Sequence, residues 1–229
     1  MKKLVVLTGA GMSAESGLPT FRDMGGIWET YDVTQVASPE AWQHNPELVL
    51  RFYNERRKKL FESSPNEGHH ILASLEAYFD VQIVTQNVDD LHEQAGSSKV
   101  LHLHGELKKA RSTSNPNLVY ELNDWELKIG DLCEEGSQLR PHIVWFGETV
   151  EEIYKAQDLV SEADVFIVVG TSLNVYPAAG LLHYVASDVP VFVVDPGQPL
   201  LAHNPHLTII KDKASVGLRQ LTSVLQKLA

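Results

Sequence analysis

His102 and His104, two residues apart in LHLHGEL (residues 101–107), have the plainest capacity for chemistry in this chain. Strand spacing would turn both to one face. A histidine titrates close to neutrality and suits general-base work, although a buried histidine is more often structural. A second group, Gln86, Asn87 and Asp89 in TQNVDD, offers amides and a carboxylate that can hydrogen-bond ribose hydroxyls and a carboxamide; a polar loop at a strand end looks the same. A third, GAGMSAESG (residues 9–17), has Gly9, Gly11, Ser13 and Gly17 directly after an apolar run, with Ala14 in the place of the last glycine of a G-x-G-x-x-G pattern. Such a loop lets backbone N–H groups approach a pyrophosphate at a helix N-terminus, and Phe21 and Arg22 just beyond it are placed to shield a ribose and steady phosphates. Finally, Tyr53 and Arg56 in RFYNERRK are three apart, so a helix sets them on one face. There a guanidinium can clamp a carboxylate with two hydrogen bonds and the phenol can add a third. A basic helical run is more commonly just a solvated face.

These groups need a scaffold, and four apolar, β-branched runs supply one: LVVL near the N-terminus, then VQIVTQN (81–87), VFIVVGTS (165–172) and VFVVDPG (191–197). Each ends in glycine or polar residues, as strands of a buried parallel sheet do, with ligands gathering at their C-terminal ends. Between them lie helical patterns at 46–64, 69–79 and 214–228, the last with Leu218, Leu221, Val224 and Leu225 at helical spacing. Alternating strands and helices predict an α/β fold with a doubly wound, Rossmann-like parallel sheet. Residues 108–139 break the rhythm: polar, with few strand signals, they read as a small inserted module, and the mostly helical 23–64 as a second insertion. The expected organisation is one catalytic domain over 1–229, its core formed by 1–22, 65–107 and 140–229.

The 229 residues carry a net charge of −11. An acidic protein gains nothing from the counterion release that drives nucleic-acid binding, so no nucleic-acid partner is expected. A single cysteine, Cys133, excludes an intramolecular disulfide framework. LVVL is too short for the apolar region of a signal peptide, and no stretch approaches the roughly 18 apolar residues of a membrane span. A cytoplasmic monomer without membrane association is expected.

Five segments in this order, GAGMSAESGLPTFRD (9–23), TQNVDDLHEQAG (85–96), LHLHGEL (101–107), RPHIVWFGE (140–148) and VVGTSLNVYPAAGL (168–181), resemble the sirtuins, the NAD-consuming protein-lysine deacylases. The resemblance implies the sirtuin fold, NAD as co-substrate, and acyl-lysine proteins or peptides as substrates. It implies cofactor contacts from Gly9, Ala10, Gly11, Ser13, Ala14, Glu15, Phe21 and Arg22, from Gln86 and Asn87 around the nicotinamide ribose, from Asp89 at the carboxamide, and from Gly170, Thr171 and Ser172 at ribose and phosphate. Asp195 stands where these enzymes commonly have Asn, and Ala214 with Ser215 would close over the adenine. His104 and Asn87 are the implied catalytic residues: the acyl oxygen attacks C1′ as nicotinamide leaves, His104 deprotonates a ribose hydroxyl that attacks the imidate, and water releases lysine and O-acyl-ADP-ribose. His102 is assigned to structure. Val144, Phe146 and Gly147 would line a channel where substrate pairs in β fashion. The subgroup that removes malonyl, succinyl or glutaryl groups carries a Tyr-x-x-Arg pair at the place of Tyr53 and Arg56 and a small residue at that of Ala37, so acidic acyl-lysines are the expected substrates, with acetyl-lysine also accepted.

The chain departs from the family in lacking its zinc cysteines. Ser112 and Asn115 fall at the first pair's places, and Cys133 near the second pair is read as off register. A structural zinc needs four N or S ligands, so no zinc is expected, and the module must rest on its own core: Leu118, Val119, Tyr120, Leu122, Trp125 and Leu127. Competing readings are a mono-ADP-ribosyltransferase or an idle NAD or ADP-ribose binding module. A Rossmann dehydrogenase is disfavoured because no acidic residue clearly ends a second strand about 20 residues after the loop.

Overall fold

A computed structural model of the chain describes residues 1–20, 32–197 and 204–229; Phe21 and Arg22 lie outside these described residues. Six parallel strands form the main sheet in the order β3-β2-β1-β7-β8-β9: β1 (Lys3–Thr8), β2 (Asp80–Thr85), β3 (Val100–His102), β7 (Val165–Val169), β8 (Val191–Val194) and β9 (Leu207–Ile210). The four apolar runs are its centre. The edges, β3 and β9, are short and only partly buried, and carry too little apolar pattern to announce themselves.

Both faces of the sheet are covered, which is why β1 is apolar at every position from Leu4 to Leu7. Leu4 and Val6 meet Leu72 of α5 (Glu67–Ser74) and Leu218, Leu221 and Leu225 of α8 (Ala214–Leu228). Val5 and Leu7 meet Ile153, Ala156 and Val160 of α7 (Ile153–Ser161) and Leu181 of a 3-10 turn. Chain order reverses between β1 and β7, so the loops after these strands meet at the topological switch point where open α/β sheets bind ligands.

Between the strands, α1 (Ala10–Ala14) follows β1, then α2 (Val33–Val36), α3 (Pro39–His44) and α4 (Pro46–Phe61), with α6 (Leu91–Gln94) after β2. The sequence sets α4 clearly: the Asn45 side chain accepts from Leu48 N at 3.0 Å, Pro46 opens the helix, Glu47 lies in its first turn and Lys58 and Lys59 in its last. Its inward face, with Val49, Phe52, Tyr53 and Leu60, builds a third core with Val36, Ala37, Trp145 and Ile143.

The segment expected to be poor in strands instead carries an antiparallel sheet of β4 (Gly105–Ser112), β5 (Val119–Glu121) and β6 (Leu139–Ile143), ordered β5-β4-β6. In β4 the buried residues are Gly105, Leu107, Ala110 and Ser112, while lysines stand outside, so small residues did the packing and masked the alternation. The expected local core is also corrected. Val119 is 40% exposed, and Leu127 is buried with Leu50, Ala110, Cys133 and Leu139, while Leu118, Tyr120 and Leu122 are only half-buried against them. Helix α4 thus roofs this sheet through Leu50. Cys133, read as off register, is buried with its Sγ 3.4 Å from Ser112 Oγ, and Ser112, Ser114 and Ser137 form a chain of hydroxyls at 3.2 and 2.6 Å.

Two side chains that the sequence reading passed over join this sheet to α4. Asn54 brackets Leu127, donating to its carbonyl at 2.9 Å and accepting from its N–H at 3.0 Å. Arg57, fully buried, donates to the Leu107 carbonyl, to Asn54 Oδ1 at 2.8 Å and to the Trp125 carbonyl at 2.7 Å.

Candidate active site

At the switch point two glycine loops touch backbone to backbone. Gly9 N–H donates to Val169 O at 3.0 Å and Gly11 N–H to Gly170 O at 2.8 Å. A Cβ on Gly11 would sit 2.7 Å from Gly170 Cα, and one on Gly170, whose φ is +63°, would sit 2.3 Å from Met12 N. The Gly9 and Gly11 amides are engaged with the neighbouring loop, and the two glycines let the loops approach backbone to backbone. The Glu15 carboxylate accepts from Ser215 N at 3.0 Å and Ser215 Oγ at 2.8 Å, fastening Ala214 and the start of α8 to α1. Ala14 is exposed, Ala10 half-buried and Ser172 exposed at this crevice; half-buried Asp195 accepts from Gly197 N at 2.7 Å.

The polar residues after β2 converge on the same loops. Gln86 Nε2 donates to Thr171 Oγ1 at 3.2 Å. Asn87 is buried, and its Nδ2 donates to Gly9 O at 3.0 Å and Ser13 Oγ at 3.1 Å. Burial pushes the Asp89 carboxyl upward, opposed by hydrogen bonds from the Ser13 hydroxyl and Leu91 N. Ser13 therefore joins Asn87 to Asp89 at the base of the crevice.

The two histidines diverge, because the strand ends at His102 and the chain bends before His104. His102 lies between the Asn87 carbonyl (3.1 Å) and Glu93 Oε1 (2.8 Å). Burial lowers its pKa, but the Glu93 hydrogen bond and charge outweigh this and raise it overall. His104 Nδ1 lies 3.0 Å from the Gln86 carbonyl. A carbonyl only accepts, so Nδ1 carries the proton and Nε2 keeps its lone pair. Burial lowers the His104 pKa against the opposing pull of that carbonyl, which keeps the ring neutral and basic at Nε2.

The third core forms the other wall. Val144 N donates to His104 O and Phe146 N to Ala37 O, both at 3.0 Å, so the RPHIVWFGE segment is pinned to His104 on one side and to Ala37 on the other. Phe146 is 58% exposed at its tip, and Gly147 takes a φ of +93°. Glu148 holds the turn by accepting from Arg140 (2.7 and 3.0 Å), Arg111 (3.1 and 3.2 Å) and Trp145 N (2.8 Å). Tyr53 is buried below, and the Arg56 guanidinium lies 5.8 Å from its ring centroid and 5.4 Å from that of Phe52. Burial pushes the Tyr53 phenol up to about 12, so it stays protonated. Burial also works against the Arg56 charge, partly offset by Asp89 within electrostatic reach. Trp145, missed as a site residue, donates Nε1–H to the Tyr53 oxygen at 3.0 Å; a buried indole N–H needs a partner, and WFGE carried that one hint. A separate cleft of about 480 Å³ between Leu50, Asn54 and Lys58 of α4 and Trp125, Leu127 and Ile129 holds none of these groups.

A parallel sheet with its polar strand ends gathered at the switch point, a tautomer-fixed neutral histidine and a crevice between two glycine loops define a nucleotide-binding α/β enzyme. The sequence model of the Sir2 family matches residues 9–177, and the chain belongs to that family. It is 54% identical over 231 residues to an NAD-dependent protein deacylase of Bacteroides thetaiotaomicron, covering 98% of each chain. To one of Helicobacter pylori it is 49% identical, covering 100% of this chain and 97% of the other. A solved Sir2 homologue–NAD complex superposes with a TM-score of 0.86 at 40% identity, covering 100% of this chain and 91% of that one. The protein is an NAD-dependent protein deacylase, with NAD as co-substrate. Among the described residues no cluster of three or more His, Cys, Asp or Glu is arranged to hold a metal ion.

Proposed function

We propose that the chain removes acidic acyl groups, succinyl and malonyl, from protein lysines in preference to acetyl. The observation that carries this reading is the Arg56 guanidinium set over the buried Tyr53 ring, at the wall shared by Ala37 and Trp145. A cation whose charge is disfavoured by burial gains most from an incoming anion, and the neutral phenol beside it can donate a further hydrogen bond. The small Ala37 side chain packs in the same core as Tyr53 and Trp145.

The crevice suits NAD, which supplies a glycosidic bond to cleave and a ribose to receive the acyl group. Asn87, anchored through Gly9 O and Ser13 Oγ, orients the ribose side, and Asp89 meets the carboxamide. His104, with Nδ1–H committed to Gln86 O, takes a proton at Nε2. The Val144–Gly147 backbone offers the extended peptide a pairing edge. Transfer of ADP-ribose to a protein nucleophile has no use for a carboxylate clamp.

Arg56→Met tests the acyl preference. It should abolish desuccinylation while sparing deacetylation; equal loss of both activities would make Arg56 structural and withdraw the proposal.

A further inference from the structure

We propose that Trp145 is a specificity-determining positioning residue: its indole N–H sets the direction in which the Tyr53 hydroxyl donates, aiming that proton at the substrate's acyl carboxylate. The inference rests on the acidic-acyl reading above and deepens it.

A tyrosine O–H prefers to lie in the plane of its ring, on one side or the other of the C–O axis, with the lone pairs facing away from the proton. Trp145 Nε1–H approaches the Tyr53 oxygen at 3.0 Å. It can only donate, so the oxygen must present a lone pair there, and the Tyr53 proton is turned to the other side. Accepting one hydrogen bond also polarises the hydroxyl and makes it a stronger donor. The phenol thus reaches an incoming carboxylate already oriented.

The indole is held firmly enough to do this. Its ring lies 3.4 Å from the Arg140 guanidinium carbon, measured to the ring centroid. Arg140 in turn makes paired hydrogen bonds to Glu148, and Glu148 accepts from the backbone N–H of Trp145 itself. Trp42 also packs against it, with ring centroids 5.9 Å apart and the rings tilted by 37°. Trp145 is 2% exposed and Tyr53 1%. Ordering this much side chain to deliver one N–H to one phenol is intelligible if the direction of the phenol proton matters. An acetyl group carries no carboxylate to receive that proton, so the effect should be confined to acidic acyl groups.

The test compares wild type, Trp145→Phe, Tyr53→Phe and the double variant on succinyl- and acetyl-lysine peptides with NAD, with Arg56→Met as a reference. Trp145→Phe keeps an aromatic ring beside Arg140 but removes the N–H. It should lower kcat/KM for succinyl-lysine about tenfold, mostly through KM, and leave acetyl-lysine within about twofold, the size expected for one hydrogen bond to a charged group. Added to Tyr53→Phe it should produce no further loss, because no hydroxyl remains to orient. Replacing Trp145 with benzothienylalanine, which keeps the ring shape without the N–H, should reproduce the Phe result. Equal losses on both acyl groups, or full additivity with Tyr53→Phe, would reduce Trp145 to a packing residue. If wild type removes succinyl, Arg56→Met stops it and Trp145→Phe changes nothing, this inference fails while the acidic-acyl reading stands; absence of wild-type desuccinylation would remove both.

Discussion

Replacing Asn54 with alanine should cost about 3 kcal/mol of stability, because its amide fastens the loop between β5 and β6 to α4 at Leu127. Asn54 satisfies both backbone groups of Leu127, at 2.9 and 3.0 Å, and Leu127 is 2% exposed. Alanine leaves the two groups buried and unmet, at about 1–3 kcal/mol each. Arg57 loses one acceptor but keeps the Trp125 and Leu107 carbonyls. Arg57→Met makes the instructive contrast. It deletes three hydrogen bonds, but it also removes a buried cation whose pKa burial pushes down to about 10. Against an ordinary value of 12.5 that depression represents about 3 kcal/mol at neutral pH, which offsets most of the stranded carbonyls. Urea unfolding of both variants, with the denaturant slope checked for constancy, decides the matter. The Asn54 variant should also melt about 6–12 °C lower, at the 2–4 °C per kcal/mol usual for a chain of this size. A loss below about 1 kcal/mol for Asn54→Ala, or a larger loss for Arg57→Met, would refute the view that the loop is pinned by neutral backbone bracketing.

Other predictions follow from the same geometry. His69 and His92 are fully buried with ring centroids 4.8 Å apart, and burial pushes His69 down to about 4 and lowers His92 well below its ordinary value. As pH falls the unfolded chain takes up protons first, so the His69 contribution is complete above about pH 6.5 and disappears towards pH 4, about 3 kcal/mol in all. Urea midpoints between pH 7.5 and 4 should show this decline, and His69→Gln should make it shallower by the His69 share, leaving that of His92; a flat wild-type profile would contradict the burial. Gly170→Ala, forced to φ +63° with its Cβ 2.3 Å from Met12 N, should separate the two glycine loops and raise the KM for NAD at least tenfold, and an unchanged KM would dissociate loop contact from cofactor binding. With the buried Ser112–Cys133 contact and the serine hydroxyl chain in the small module, prolonged chelation should leave the melting temperature within about 1 °C, whereas a metal-built module would unfold.

The sequence displayed its sheet and hid its fastenings, for physical reasons. The four central strands and α4, α5 and α8 were legible because burial on both faces of the sheet demands unbroken apolar runs and one-sided helices demand their period. The strands β4 and β6 were not, since Ala110, Ser112 and Pro141 pack well in a small sheet without looking like strand formers. At the site, residue type and spacing brought His104, Asn87 and the Tyr53–Arg56 pair forward only as candidates, and the sirtuin resemblance gave them their expected roles. Trp145, Asn54, Arg57 and Arg140 were not, because their partners lie 50 to 92 residues away or, for Arg140, in a turn whose closure no spacing reveals. Gly9 and Gly11 show the opposite limit: the motif was recognised, but the destination of their amides was set by Val169 and Gly170, residues far off in the chain.

The most direct test of the account is turnover of succinyl-, malonyl- and acetyl-lysine peptides of one sequence with NAD, followed by nicotinamide release. The account predicts NAD-dependent removal of all three, with kcat/KM for the acidic acyl groups at least tenfold above acetyl, as expected when a carboxylate gains hydrogen bonds from a half-buried guanidinium and a neutral phenol. Removal of acetyl alone would contradict it.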